Sequence, residues 1–403
     1  MNRRFLTTLL FGAGLSLQGC LSPIAMHQAV LEYDRTINRV EAELLLLNIA
    51  RARHFHPVHF TVVSSVAATF DFRVNAGVLG RIGSSPDDAP VDFEFGTSVA
   101  ENPTVTIVPI AGEEFTKRIL RPLDESQFEF LAHQGFDINM VLRLMARGIA
   151  VDEKDDSLLY GNDPANGDGY VEFKRRLLHL SALQYAGKLH IAPIKFEETY
   201  AGVSDRTLAP AEVVAALDKA YRWIVLEKDQ SPVLARRVAG RLAITNYNLK
   251  KLTNDERRHL HEELEQFPRD YVFVDIRPGY PGGAYPLRGR ILLRSFNAII
   301  SFVAKSLADT PEYFVEKDPR TGPVVHNPAM TLEIEESTRA PGDAEFSVEL
   351  EGRYYSIRKF PITEGMVPSW NQEAFAILTN LFQMTVTDVS NVRTPIISIP
   401  KGG

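Results

Sequence analysis

The sequence predicts an α+β fold: an N-terminal helix packed on an antiparallel β-meander, a helical middle region and a C-terminal domain of mixed type. Three patterns point there. Apolar residues recur at three- and four-residue spacing over Tyr33–Arg53, apolar and polar residues alternate from Phe60 to Val99, and capped helices interleave with short strands after residue 269. The matching boundaries are a tether at 20–32, an N-terminal α+β domain at 33–198, a helical region at 199–268 and a C-terminal α+β domain at 269–403.

In the first helix Ile37, Val40, Leu44, Leu47 and Ala50 form a stripe that must face a partner, and Pro57 ends the pattern. From Phe60 the period drops to two. Phe60, Val62, Ser64, Val66, Ala68, Phe70, Phe72 and Val74 fall on one face, with Thr61, Ser65, Thr69, Asp71, Arg73 and Asn75 on the other. Gly80 to Pro90 is a Gly/Ser/Asp/Pro loop, after which Val91, Phe93, Phe95, Thr97 and Val99 resume the alternation, so 60–99 reads as a hairpin. Asn102-Pro103 signals a turn before a third strand, Thr104–Ile110.

Helix ends in the next stretch are legible from their chemistry. Asp124 and Gln127 are spaced as a capping box, with Leu123 and Phe128 placed as a hydrophobic staple, and Gly135 supplies the stop. Asp137 opens a second short helix with Val141, Leu144 and Met145 on its apolar face, ended by Gly148. Lys154 to Gly169 reads as a polar loop, Val171 to Ala186 as a helix and Leu189 to Phe196 as an extended segment. In the helical region Pro210 suits a first turn, and Thr253 with Glu256 forms another capping box.

Three glycines and three prolines make Arg277 to Pro286 a loop. Beyond it come a strand at Leu287–Leu293, a helix at Ser295–Leu307 and strands at Thr331–Glu335, Glu345–Leu350 and Tyr354–Phe360, with Glu351-Gly352 as a hairpin turn. Ser369 to Gln372 is a third capping box, opening a helix with Trp370, Phe375, Leu378 and Phe382 inward, and Pro395 to Pro400 is extended.

Apolar residues make up 45% of the chain and charged residues 24%, an ordinary globular balance rather than that of a disordered or polytopic membrane chain. Residues 1–19 hold two arginines and no acid; without them 42 basic residues stand against 51 acidic, a net charge of −9. Such a surface does not attract nucleic acid.

Those first residues have their own pattern. Arg3 and Arg4 precede an apolar run from Phe5 to Leu17, shorter than the ~20 residues a membrane span needs, and the run closes on Leu17-Gln18-Gly19-Cys20. The Leu-x-Gly-Cys ending resembles the lipobox of bacterial lipoproteins, and the mature chain resembles the broad class of cell-envelope lipoproteins of Gram-negative bacteria. The resemblance implies a signal peptide at 1–19 and lipidation at Cys20. It further implies several acyl chains, which give lasting attachment where one chain gives only marginal binding. Leu21, where inner-membrane retention signals of this class carry Asp, implies an outer-membrane anchor with the body in the periplasm. Cys20 is the only cysteine, so lipidation leaves no thiol for a disulfide, a metal or nucleophilic catalysis. A plain secreted protein with a cysteine at that position is the alternative.

Other constellations point less far. Arg51, Arg53, His54, His56 and His59 make the densest basic and imidazole cluster, but their spacing suits a positively charged helix end better than a metal site. His259, His261, Glu262 and Glu263 lack the two histidines four apart of a zinc-peptidase helix and read as a solvated face. Asn162 to Gly169 is rich in oxygen donors and glycine, without the alternating ligands of an EF-hand, and reads as a turn-rich loop.

No nucleophile elbow or phosphate-cradling loop is present, and no cofactor is implied. A glycosidase carboxylate pair leaves no local signature. The expectation is therefore a lipid-anchored, non-enzymatic assembly or interaction component of the envelope, with envelope proteins as partners. Two alternatives accompany it: an oligomeric outer-membrane pore or export component donating the 60–99 hairpin, with Phe70, Phe72, Phe93 and Phe95 as an aromatic girdle, and an envelope hydrolase.

Overall fold

The structure is a computed structural model that describes residues 18–79, 92–110, 112–153, 156–200, 210–225, 232–307, 310–359 and 370–386. Helices and sheets are mixed throughout, an α+β fold. The chain forms two compact units: among the described residues, the first holds the N-terminal helix as far as Leu45 and the strands from His59 to Ile110, the second holds Leu46–Val58 and the chain from Gly112 to Val386.

The N-terminal helix, α1, spans Gln18–Arg53, so the expected tether is helical and Cys20 lies in its first turn. Its last two turns pack into the sheet-bearing second unit, where Leu46, Ile49 and Ala50 are fully buried. Farther up, Ile37, Val40 and Leu44 are only half-buried. Strands β1 (Phe60–Leu79) and β2 (Asp92–Ile110) form a two-stranded antiparallel sheet of their own. The third strand expected at Thr104–Ile110 is the second half of β2: Asn102 pairs with Thr69 and Pro103 with Ala68, without a turn. In a two-stranded sheet each strand is an edge, where proline's missing N–H can face away from the ladder. The expected Gly80–Pro90 loop lies outside the described residues.

Three short helices open the second unit, α2 (Glu113–Leu120), α3 (Glu125–Ala132) and α4 (Ile138–Met145). The α3 capping box forms as expected. Asp124 accepts from the backbone of Ser126 and Gln127, the Gln127 side chain accepts from Asp124 N at 3.0 Å, and Leu123 and Phe128 are both buried. Asp137 caps α4, but the helix runs straight into β3 (Ala146–Glu153) instead of stopping at Gly148. A Cβ at Gly148 would sit 2.7 Å from the Tyr160 carbonyl oxygen of β4 (Asp156–Gly161), so glycine serves close strand approach there. The expected Lys154–Gly169 loop thus contains a strand.

The remaining elements are α5 (Gly167–Tyr185), β5 (His190–Thr199), α6 (Pro210–Asp218), β6 (Arg222–Val225), β7 (Pro232–Thr245), α7 (Asn254–Glu265), β8 (Tyr271–Ile276), β9 (Leu287–Leu293), α8 (Phe296–Ser306), β10 (Ile334–Ser337), β11 (Ser347–Leu350), β12 (Arg353–Ile357) and α9 (Trp370–Val386). A seven-stranded sheet has the order β4-β3-β9-β8-β7-β5, with β6 also paired to β7. Only β7 and β8 run parallel. The segment expected to be helical at 199–268 therefore carries the 14-residue strand β7. Alanines and arginines favour a helix there, and sheet partners far away in sequence override that preference. β8 is buried from Val272 to Ile276, as a central strand requires. β10, β12 and β11 make a separate three-stranded sheet whose turn uses Glu351 and Gly352, both at positive φ (52° and 74°). Thr253 and Glu256 close the α7 capping box, and Ser295 caps α8. Ser369 lies outside the described residues; Trp370, Phe375 and Leu378 are buried as expected, and Phe382 is half-buried.

Candidate functional site

The β1–β2 hairpin is the candidate site, and its two sides follow from its register. Its register is continuous from Phe60 opposite Ile110 to Leu79 opposite Asp92, save one shift between Val63 and Ser65. There Ser64 is the extra residue of a β-bulge, which changes the phase of β1 relative to β2. Below the bulge, Phe60 and Val62 share a face with Ile110 and Val108; above it, that face continues with Ser65, Thr69, Asp71, Arg73 and Asn75. The single face expected from Phe60 to Val74 is thus two faces joined at Ser64. At the root Phe60 and Ile110 are buried, 3% and 6% exposed.

Above the bulge the faces separate by chemistry. Cross-strand partners share a face, so one side carries Val66 with Val105, Ala68 with Pro103, Phe70 with Glu101, Phe72 with Val99, Val74 with Thr97, Ala76 with Phe95 and Val78 with Phe93. Glu101 is its one charged position. The other side carries Thr69 with Asn102, Asp71 with Ala100, Arg73 with Ser98, Asn75 with Gly96 and Gly77 with Glu94. Phe70, Phe72, Phe95 and Phe93 share the apolar side but lie at successive heights, a column rather than one girdle.

The residues singled out in the second unit serve its architecture. His54 and His56 meet the β11–β12 turn: their Nδ1 and Nε2 lie 3.4 and 3.2 Å from the Glu351 carboxylate, and His54 Nε2 is 2.7 Å from the Tyr355 hydroxyl. His59 falls in the other unit. The second cluster is not a uniformly solvated face, because His261 packs on the Phe196 ring and accepts from Arg241 N at 3.3 Å. In the Asn162–Gly169 stretch Asn162 is buried and donates to the carbonyls of Arg143 and Ala146, so the stretch is anchored rather than loose. Among the described residues no group of three metal-ligating side chains converges.

Sequence reasoning missed the buried ionic groups, because their members are far apart in the chain. Arg143, fully buried, donates to Asn139 Oδ1, Pro328 O and Asn327 Oδ1. Glu312 accepts from Tyr170 Oη (3.0 Å) and from Thr331 N and Oγ1, with Lys174 Nζ 3.6 Å away. Burial alone would raise the Glu312 carboxyl, but Lys174, Arg143 and the Thr331 hydrogen bonds outweigh it and hold it below its ordinary value. Glu125 accepts from Arg241, Arg269 and Leu242 N, and Arg241 also donates to four backbone carbonyls between Leu264 and Tyr271. Asp275 is taken by Tyr247 and Arg277. These carboxylates face bases and backbone donors that neutralise them, an arrangement that pins loops to helices and strands.

Cys20 lies on α1, and residues 1–17 are outside the described residues. Comparison with known proteins finds no matching family, no similar curated protein and no matching solved structure.

Proposed function

We propose that this chain is a lipid-anchored, non-enzymatic component of the outer membrane, held through acylated Cys20, whose hairpin enters the bilayer as part of a pore or export assembly. The observation that carries the proposal is the hairpin above Ser64, with an apolar face and a polar face kept in phase along both strands. From Val66 to Val78 the apolar face extends ~40 Å at ~3.3 Å per residue. Tilted by ~40°, as barrel strands are, it covers ~30 Å, the thickness of the hydrocarbon layer. No helix among the described residues is long and apolar enough to cross a membrane. Glu101 interrupts the apolar face, at a position where a carboxyl costs less than a lysine or arginine would.

The test uses the full-length chain in lipid vesicles with single cysteines along β1, each labelled with an environment-sensitive fluorophore. Labels at Phe72, Val74 and Ala76 are expected to report hydrocarbon, and labels at Arg73, Asn75 and Gly77 water. A uniform aqueous signal along the strand would reject membrane entry. Separately, Cys20→Ser should abolish acyl labelling and release the protein from washed membranes; retention would reject the anchor.

A further inference from the structure

If the hairpin enters the bilayer, as proposed above, its strand edges pose a second problem that the chain does not solve alone. β1 and β2 are 20 and 19 residues long and, among the described residues, pair only with each other, so each has an outer edge on which alternate N–H and C=O groups point away from the ladder. In hydrocarbon those groups find no water, and open sheet edges exposed to lipid do not occur there. A lone two-stranded hairpin is also marginal in water. Its edges therefore need further strands of the same length and the same amphipathic phase.

We infer that these strands come from further copies of this chain, whose hairpins join edge to edge into one closed barrel. The match lies in the hairpin itself. β1 and β2 are antiparallel and nearly equal in length, so the β1 of a second copy laid beside β2 of the first continues the up-and-down order. Because the apolar positions of both strands share one face above Ser64, that pairing keeps Phe72, Val99 and their neighbours on the outside and Arg73, Ser98 and theirs toward the lumen. The seven-stranded sheet of the second unit has no comparable strand to lend: its longest, β7, has 14 residues and is paired to β5, β6 and β8. The contact is head-to-tail, β2 against the next copy's β1, so rotation closes it into a ring. Each copy adds two strands. Four copies give the ~8 strands whose interior side chains fill, and about eight copies give the ~16 strands that leave an aqueous channel.

The experiment mixes two differently tagged full-length chains in the same cells, so that a new disulfide between tags can only join two copies. One chain carries Thr69→Cys on β1; the other carries Ser98→Cys, Ala100→Cys, Asn102→Cys or Thr104→Cys on β2. The chain with Cys20 alone is the control, and circular dichroism melting confirms that each variant folds. The expected result is a hetero-tagged disulfide dimer at one or two adjacent β2 positions and none at the others, with multimers of at least four copies in detergent by native mass spectrometry. If the fluorophores report hydrocarbon at alternate positions but the protein stays monomeric, or is cross-linked only to a different polypeptide, the inference falls while membrane entry stands. If neither alternate labelling nor multimers are seen, both fall. Dimers at every β2 position alike would mean random collision and would also overturn it.

Discussion

The two units of this protein solve the same polypeptide problem in opposite ways. Among the described residues of the second unit, buried carboxylates find their partners inside the fold: Glu312 has Lys174, Tyr170 and Thr331, Glu125 has Arg241 and Arg269, and Asp275 has Tyr247 and Arg277. In the hairpin, two long strands pair with each other, and the described residues add no third. A region that completes itself owes its residue pattern to its own core. The hairpin instead carries an apolar and a polar side along both strands above Ser64.

Breaking the self-contained unit should have the largest effect. Glu312→Ala leaves Lys174 and Arg143 buried without their carboxylate, and removing one partner of a buried pair costs ~3–5 kcal/mol. Urea unfolding followed by circular dichroism should show that loss; a cost below ~1 kcal/mol would mean that water enters the site and screens the cations. Removing a cap should cost less. Asp124→Ala opens the α3 capping box and should lower stability by ~1 kcal/mol in the same assay.

Acid probes another carboxylate of the same unit. Hydrogen bonds from Arg320 pull Asp318 down to about 2, from an ordinary 3.8. The folded-state value is depressed, so Asp318 contributes stability above its ordinary pKa and loses it as pH falls toward the folded value. The stability difference between the native chain and Asp318→Asn should shrink between about pH 4 and about pH 2; a difference constant over that window would contradict the pairing. The smallest effect expected is none. Replacing 62–108 with a short Gly/Ser turn should leave the melting of the second unit unchanged while abolishing membrane entry, and a large drop in that melting temperature would collapse the contrast between the two units.

Local chemistry made much of this fold legible. The boxes at Asp124 and Thr253, the helix opening at Ser295, the Leu287–Leu293 strand and the Glu351-Gly352 turn each depend on residues within a few positions of one another. β7 escaped because its identity is decided by β5 and β8 rather than by its own composition, which favours a helix. Arg143, Lys174 and Glu312 escaped because nothing in their spacing foretells that they meet. The hairpin was visible as alternation, but its true length was hidden by Asn102-Pro103, which looks like a turn until each strand is known to be an edge. The bulge was hidden because Ser64 fits an alternating pattern as well as any polar residue would.

That one serine is the residue the ladder skips, since Val63 pairs with Ile107 and Ser65 with Thr106. A strand has only two sides, so deleting Ser64 would leave every pair above it in place, whereas losing one residue higher up, such as Ala67, would turn the positions beyond it to the other side and bring Asp71 and Arg73 round to where Phe70 and Phe72 had been. Above Ser64, length changes in one strand are therefore tolerable only in even steps, and the two sides of the hairpin are defined by the parity of a count.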